Sequence, residues 1–163
     1  MKRLILMRHA KSDWSGGPSS DQDRPLNPRG RKAAAALGKW LNEQQVRPDE
    51  ILCSSSARTM ETHQRLDLKD DIAPQHLRGL YLAPAADILA TLRGATGECV
   101  LMIGHNPGIG EMAEAILSDA PDHPKFTAYP SGATLLAEFD ITDWTQAGWG
   151  NANARHFTVP RDL

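Results

Sequence analysis

Short apolar runs separated by polar, proline-bearing stretches organise this chain. Leu4–Met7, the middle of Glu50–Ser54, and Cys99–Ile103 are continuous apolar blocks with no alternation. Blocks of that length predict strands buried on both faces of a sheet. Between them the apolar period lengthens to that of a helix. Ala33, Ala34, Leu37, Trp40 and Leu41 recur on one face, and Asn27-Pro28 supplies an N-cap and a first-turn proline, so a helix is predicted from Pro28 to about Asn42. Ser55 or Ser56 caps a second helix through Met60 and Leu66, Ala86–Leu92 forms a third, and Pro107 opens a fourth reaching about Leu117. Ala133–Phe139 and His156–Val159 read as further strands, and a short strand is expected near Ile72. Ser12–Pro28 and Ser118–Gly132 are polar loops. Strands alternating with helices predict an α/β fold, a three-layer sandwich with a mostly parallel central sheet, helices on both faces and an antiparallel strand at one edge.

Composition narrows this picture. The chain has 163 residues, enough for a single domain spanning 1–163, and neither repeats nor a linker interrupt it. Apolar residues make up 40% and charged residues 23%, which supports one core and excludes disorder. No apolar run approaches the roughly 20 residues that cross a bilayer. The basic, apolar start MKRLILM is read as a first strand rather than a leader, so a cytoplasmic, monomeric protein is expected. A net charge of −2 argues against nucleic acid as a partner. Cys53 and Cys99 lie inside apolar runs, lack metal or redox spacing, and read as buried thiols. No cofactor and no metal site is indicated.

The chemistry lies at the ends of the predicted strands. Arg8-His9 follows the first, Arg58 follows the second by a few residues, and Gly104-His105-Asn106 follows the apolar block Cys99–Ile103. In open α/β sheets ligands bind outside the carboxyl ends of the strands. Two guanidinium groups and two imidazoles converging there suit a phosphate, because the arginine fork pairs bidentately with its oxygens. Taken singly, each residue has an ordinary explanation: a solvated arginine, or a histidine at a turn. The four at one edge are harder to dismiss. The loop adds Arg24, either a further phosphate ligand or a partner of Asp21 or Asp23, and Trp14, which either contacts the substrate or packs the loop. His63, His76, His123 and His156 have no partner motif and read as ordinary surface or core residues.

The segments LMRHAKSDW, DRPLNPRG, SSSARTMET and VLMIGHNPG resemble the histidine phosphatase superfamily, in particular its SixA-type branch of phosphohistidine phosphatases. The resemblance runs from Met1 to about Leu117 and more loosely to the end. It implies that His9 is phosphorylated, that Arg8 and Arg58 bind the phosphoryl oxygens, and that His105 completes the pocket of a metal-independent phosphatase. In many members a carboxylic acid protonates the leaving group from the stretch matching Leu77–Ala83. Here that stretch, LRGLYLA, has no carboxylate. Asp13, Asp21 and Asp23 are the loop substitutes, with Asp13 the candidate acid. The missing carboxylate favours a phosphorylated protein, carrying phosphohistidine, over a small phosphorylated metabolite. A phosphomonoesterase for small metabolites and a non-catalytic phosphoprotein-binding module are the alternatives.

Overall fold

The computed structural model describes residues 1–16, 20–69 and 72–163. Residues 17–19 of the predicted loop lie outside that set. The elements in chain order are β1 (Lys2–Arg8), α1 (Pro28–Glu43), β2 (Glu50–Ser54), α2 (Ala57–Leu66), β3 (Gln75–Leu77), α3 (Ala85–Arg93), β4 (Cys99–Gly104), α4 (Gly108–Ile116), β5 (Thr134–Phe139) and β6 (Ala152–Thr158). They build a six-stranded sheet in the order β3-β2-β4-β1-β5-β6. The four strands from β3 to β1 are mutually parallel, and only β5 runs against them.

The unbroken apolar runs are explained by what covers the sheet. Along β1, Leu4 and Leu6 face one core with Ile88, Leu92, Met112 and Ile116 of α3 and α4. Ile5 and Met7 face the other, with Leu37, Leu41 and Leu66 of α1 and α2. β4 divides the same way, Val100 and Met102 against Leu101 and Ile103. A strand covered by helices on both faces has no solvent side, so it carries no alternation. The three-layer α/β sandwich follows.

Helix ends match their sequence signals. Asn27 accepts from the amide of Gly30, and Ser56 from that of Thr59. The fourth helix starts one residue later than expected, with Pro107 as its N-cap. Two close approaches hold site segments in place. A Cβ at Gly30 would meet the carbonyl of Lys11, and one at Gly108 the carbonyl of Ala83, so α1 and α4 press directly on the loops beside the site.

Two strands differ from expectation. The short edge strand is Gln75–Leu77, not a segment near Ile72; three ladder pairs with Leu52–Ser54 define it, and so short a segment carries no period of its own. The last strand starts at Ala152, four residues before His156. Leu136 pairs with His156 but Ala137 pairs with Ala154, so Arg155 is the extra residue of a bulge. The bulge breaks the two-residue period that a sequence reading depends on.

Candidate active site

β4 lies between β1 and β2, so the carboxyl ends of the three strands are neighbours. Arg8 is in register with Gly104, and the amide of His9 extends the ladder by donating to the Gly104 carbonyl at 3.1 Å. Sheet register therefore brings the two histidines together: the rings of His9 and His105 are 5.4 Å apart, centroid to centroid. Arg58 enters from the first turn of α2, its side chain buried. Arg8, His9, Arg58 and His105 line one cleft of about 340 Å³, together with Lys11, Ser12, Trp14, Asp21, Arg24, Leu82, Asn106 and Ser131.

The tautomer of His9 is set by its own chain. Nδ1 lies 2.7 Å from the carbonyl oxygen of Ala10, which can only accept, so Nδ1 carries the proton and Nε2 the lone pair. Burial, reinforced by His105, Arg8 and Arg58, pushes the His9 pKa down to about 3, although the Ala10 carbonyl opposes the shift. The ring is neutral at physiological pH. His105 is likewise held near a pKa of about 3 by burial and by Arg58. It is therefore a neutral hydrogen-bonding group in the free site, not a cation. Its Nε2 is 2.8 Å from the buried hydroxyl of Ser54 at the end of β2. Among the described residues, Nδ1 of His105 and the Nε atoms of Arg8 and Arg58 have no hydrogen-bond partner.

Depressed histidine pKa values make stability depend on pH. In the unfolded chain both rings titrate near about 6.5, in the fold near about 3. Between those values the unfolded state binds more protons, so folding stability falls as pH drops through that window. We expect the denaturation midpoint to fall as pH is lowered from neutrality to about 5. The slope should be visibly smaller in a His9→Asn, His105→Gln double variant. An identical pH slope in that variant would contradict the buried neutral imidazoles.

Arg24 has the loop partner expected of it and also a place in the cleft wall. It lines the cleft, and it also pairs with Asp21, its Nη2 at 3.1 Å from Oδ1. It bonds the Ser12 hydroxyl, and its guanidinium carbon sits 3.5 Å above the Trp14 ring. Asp13 is not brought to the cleft. Its Oδ1 accepts from the amide and hydroxyl of Ser15 at 2.8 and 2.6 Å, which lowers its pKa. The carboxylate that does line the cleft is Asp21, on a 3₁₀ turn at Asp21–Asp23. It accepts from Arg58 at 3.0 Å and from the Tyr81 hydroxyl, and its pKa is held at about 2 by Tyr81, Arg24 and Arg58.

Tyr81 and Ser54 were not singled out from the sequence. Tyr81 stands edge-on to His105 with centroids 5.3 Å apart, inside the very stretch that lacks a carboxylate. The presence of a polar aromatic in that stretch was the available signal. Ser54 ends the second apolar run, where a hydroxyl at the sheet's carboxyl edge is the cue. Cys53 and Cys99 are free and buried, with thiols pushed up to about 12 and about 11 by desolvation, away from this chemistry. His123 pairs with Asp162, and His156 stands edge-on to Trp40, both outside the cleft lining. Among the described residues no helix is long and apolar enough to cross a membrane.

Comparison with known proteins bears on the family and the fold of the chain. The model of the histidine phosphatase superfamily, branch 1, matches residues 4–81. An uncharacterized protein of Mycobacterium leprae is 30% identical over 165 residues, spanning 95% of this chain and all of the relative. An uncharacterized Mycobacterium tuberculosis protein is 32% identical over 114 residues, 69% of this chain and 70% of the relative. Among solved structures, SixA of Nakamurella multipartitia superposes with a TM-score of 0.85 at 25% identity, over 98% of this chain and 96% of that one. The protein histidine phosphatase SixA in complex with tungstate shares the fold, with a TM-score of 0.80 at 21% identity over 99% of both chains. The chain belongs to the histidine phosphatase superfamily, and its structure is similar to that of SixA proteins.

Proposed function

We propose that the protein is a phosphatase that removes phosphoryl groups from phosphohistidine on proteins, in two displacements through His9. The observation that carries this reading is the hydrogen bond from His9 Nδ1 to the Ala10 carbonyl. It leaves Nε2 unprotonated in a cleft lined by Arg8, Lys11, Arg24 and Arg58 against one carboxylate. In the first displacement Nε2 attacks phosphorus, a bond from phosphorus to Nε2 forms, and the bond to the leaving nitrogen breaks. That nitrogen takes its proton from solvent. In the second, water attacks phosphorus, the P–Nε2 bond breaks, the water's proton is released, and inorganic phosphate departs. Splitting the reaction in two replaces one difficult step with two easier ones.

The phosphoryl transition state spreads charge over its equatorial oxygens. Arg8 and Arg58 line the cleft and meet that charge with their guanidinium groups. Ser54 fixes the ring of His105, the fourth member of the set. In the free site Arg58 is engaged by the backbone carbonyl and carboxylate of Asp21, at 2.8 and 3.0 Å. Phosphoryl binding must therefore share or displace the Asp21 contact. The protein histidine phosphatase SixA, which shares this fold, has been obtained in complex with tungstate, a tetrahedral oxyanion as phosphate is.

The arginines supply the charge that a metal would otherwise bring, so turnover is expected to be unchanged by EDTA. Activity lost to the chelator and restored by a divalent cation would contradict this. Substrate class is tested by comparing phosphohistidine with phosphoserine and sugar phosphates under one set of conditions. Higher kcat/KM on a sugar phosphate would make the protein a metabolite phosphatase instead.

A further inference from the structure

Three large apolar side chains away from the chain ends are at least half exposed among the described residues: Trp14 at 78%, Leu82 at 52% and Trp149 at 50%. Two of the three, Trp14 and Leu82, line the cleft of His9. They arrive from unconnected segments, the loop after β1 and the turn before α3. Both are held in place by the surrounding structure. The Arg24 guanidinium lies on the Trp14 ring, and Arg24 is itself tied to Asp21 and Ser12. Leu82 adopts φ of +50°, a left-handed conformation uncommon for a branched side chain. Its neighbour Ala83 is pressed against Gly108 of α4, and Tyr81 before it is bonded to Asp21.

Single exposed apolar residues are ordinary, but two at the rim of one cationic cleft are not. The phosphoryl group has no use for them, since cations and imidazoles hold it. They face whatever the phosphoryl group is attached to. We propose that Trp14 and Leu82 form the leaving-group subsite, and that it takes an aromatic or apolar leaving group. On a protein this means the phosphorylated ring and the apolar side chains beside it. The inference rests on the reading of this cleft as a phosphoryl site and adds what selects the substrate. A sugar leaving group would set its hydroxyls against an indole and an isobutyl group that offer them few partners.

The test uses the His9→Ala protein, in which ligands are not consumed, and measures Kd by calorimetry for phenyl phosphate and 4-butylphenyl phosphate. The butyl chain leaves the phosphate unchanged, so the ratio of the two values isolates the apolar contact. We expect the butyl compound to bind about tenfold tighter, as burial of part of that chain implies. Adding Trp14→Ala or Leu82→Gly should reduce the ratio to about twofold or less. Glycine suits the left-handed conformation at position 82, so that variant keeps its backbone. The ratio also cancels any loss of phosphate affinity caused by freeing Arg24. A ratio near one in the parent, a tenfold ratio that survives both substitutions, or no binding of either compound would overturn the subsite. Failure of the intact protein to turn over phenyl phosphate, with the ratio preserved, would instead overturn the hydrolytic reading alone.

Discussion

Replacing His9 with alanine is expected to reduce turnover of an aryl phosphate by at least about a thousandfold while phosphate binding persists. The two effects separate because different groups supply them. His9 offers Nε2 as the attacking atom, fixed by the Nδ1 bond to Ala10. The attraction for the anion comes from Arg8 and Arg58, which are untouched in that variant. Arg8→Ala and Arg58→Ala should behave differently, raising KM and lowering kcat together by roughly 10²- to 10³-fold in kcat/KM. Arg58→Ala also releases Asp21, whose carboxylate would then repel an incoming phosphate with one fewer cation beside it. The measurement is kcat, KM and phosphate inhibition for the three variants. A His9→Ala protein with near-normal turnover would remove His9 from its role.

The second large effect concerns the leaving group. An acid placed to protonate it is worth about 10²- to 10⁴-fold. The segment Leu77–Ala83 presents Tyr81 and Leu82, and no carboxylate. The carboxylate in the cleft, Asp21, is held ionised by Tyr81, Arg24 and Arg58 and so has no proton to give at neutral pH. Rates on phosphate esters should therefore fall steeply as the pKa of the leaving group rises, and phosphohistidine should be turned over far better than phosphoserine. A series of aryl and alkyl phosphates checks this, with Asp13→Asn and Asp21→Asn measured on the same series. A flat dependence together with a loss confined to poor leaving groups in Asp21→Asn would make Asp21 the acid. The same selective loss in Asp13→Asn would require its loop to move, because its carboxylate is committed to Ser15 in the free protein.

Much of this architecture could be read from the chain because the strongest signals were local. Uninterrupted apolar runs at Leu4–Met7 and Cys99–Ile103 reported strands covered on both faces; Asn27 marked one helix start and the pair Ser55-Ser56 another, with Ser56 making the capping bond. The convergence of Arg8, His9, Arg58 and His105 followed from their positions after parallel strands, a rule of topology rather than of propensity. What escaped notice depended on long-range pairing. β3 exists because β2 offers it a ladder, and the start of β6 is hidden by a bulge at Arg155. The charge state of His105 depends on burial and on Arg58, which no spacing reports. The same holds for the choice between Asp13 and Asp21, set by which way a loop folds: Asp13 turns onto its own neighbour, and Asp21 reaches Arg58 and Tyr81 across the cleft.

The central claim is a covalent intermediate on His9. Rapid mixing with an aryl phosphate, quenching in alkali where phosphohistidine survives, and peptide mass analysis would locate it. The account predicts one phosphoryl group per chain on the peptide carrying His9, bonded at Nε2, formed in step with a burst of released phenol and absent from His9→Ala. A phosphoryl group on any other residue, or a full burst with His9 unmodified, would contradict it.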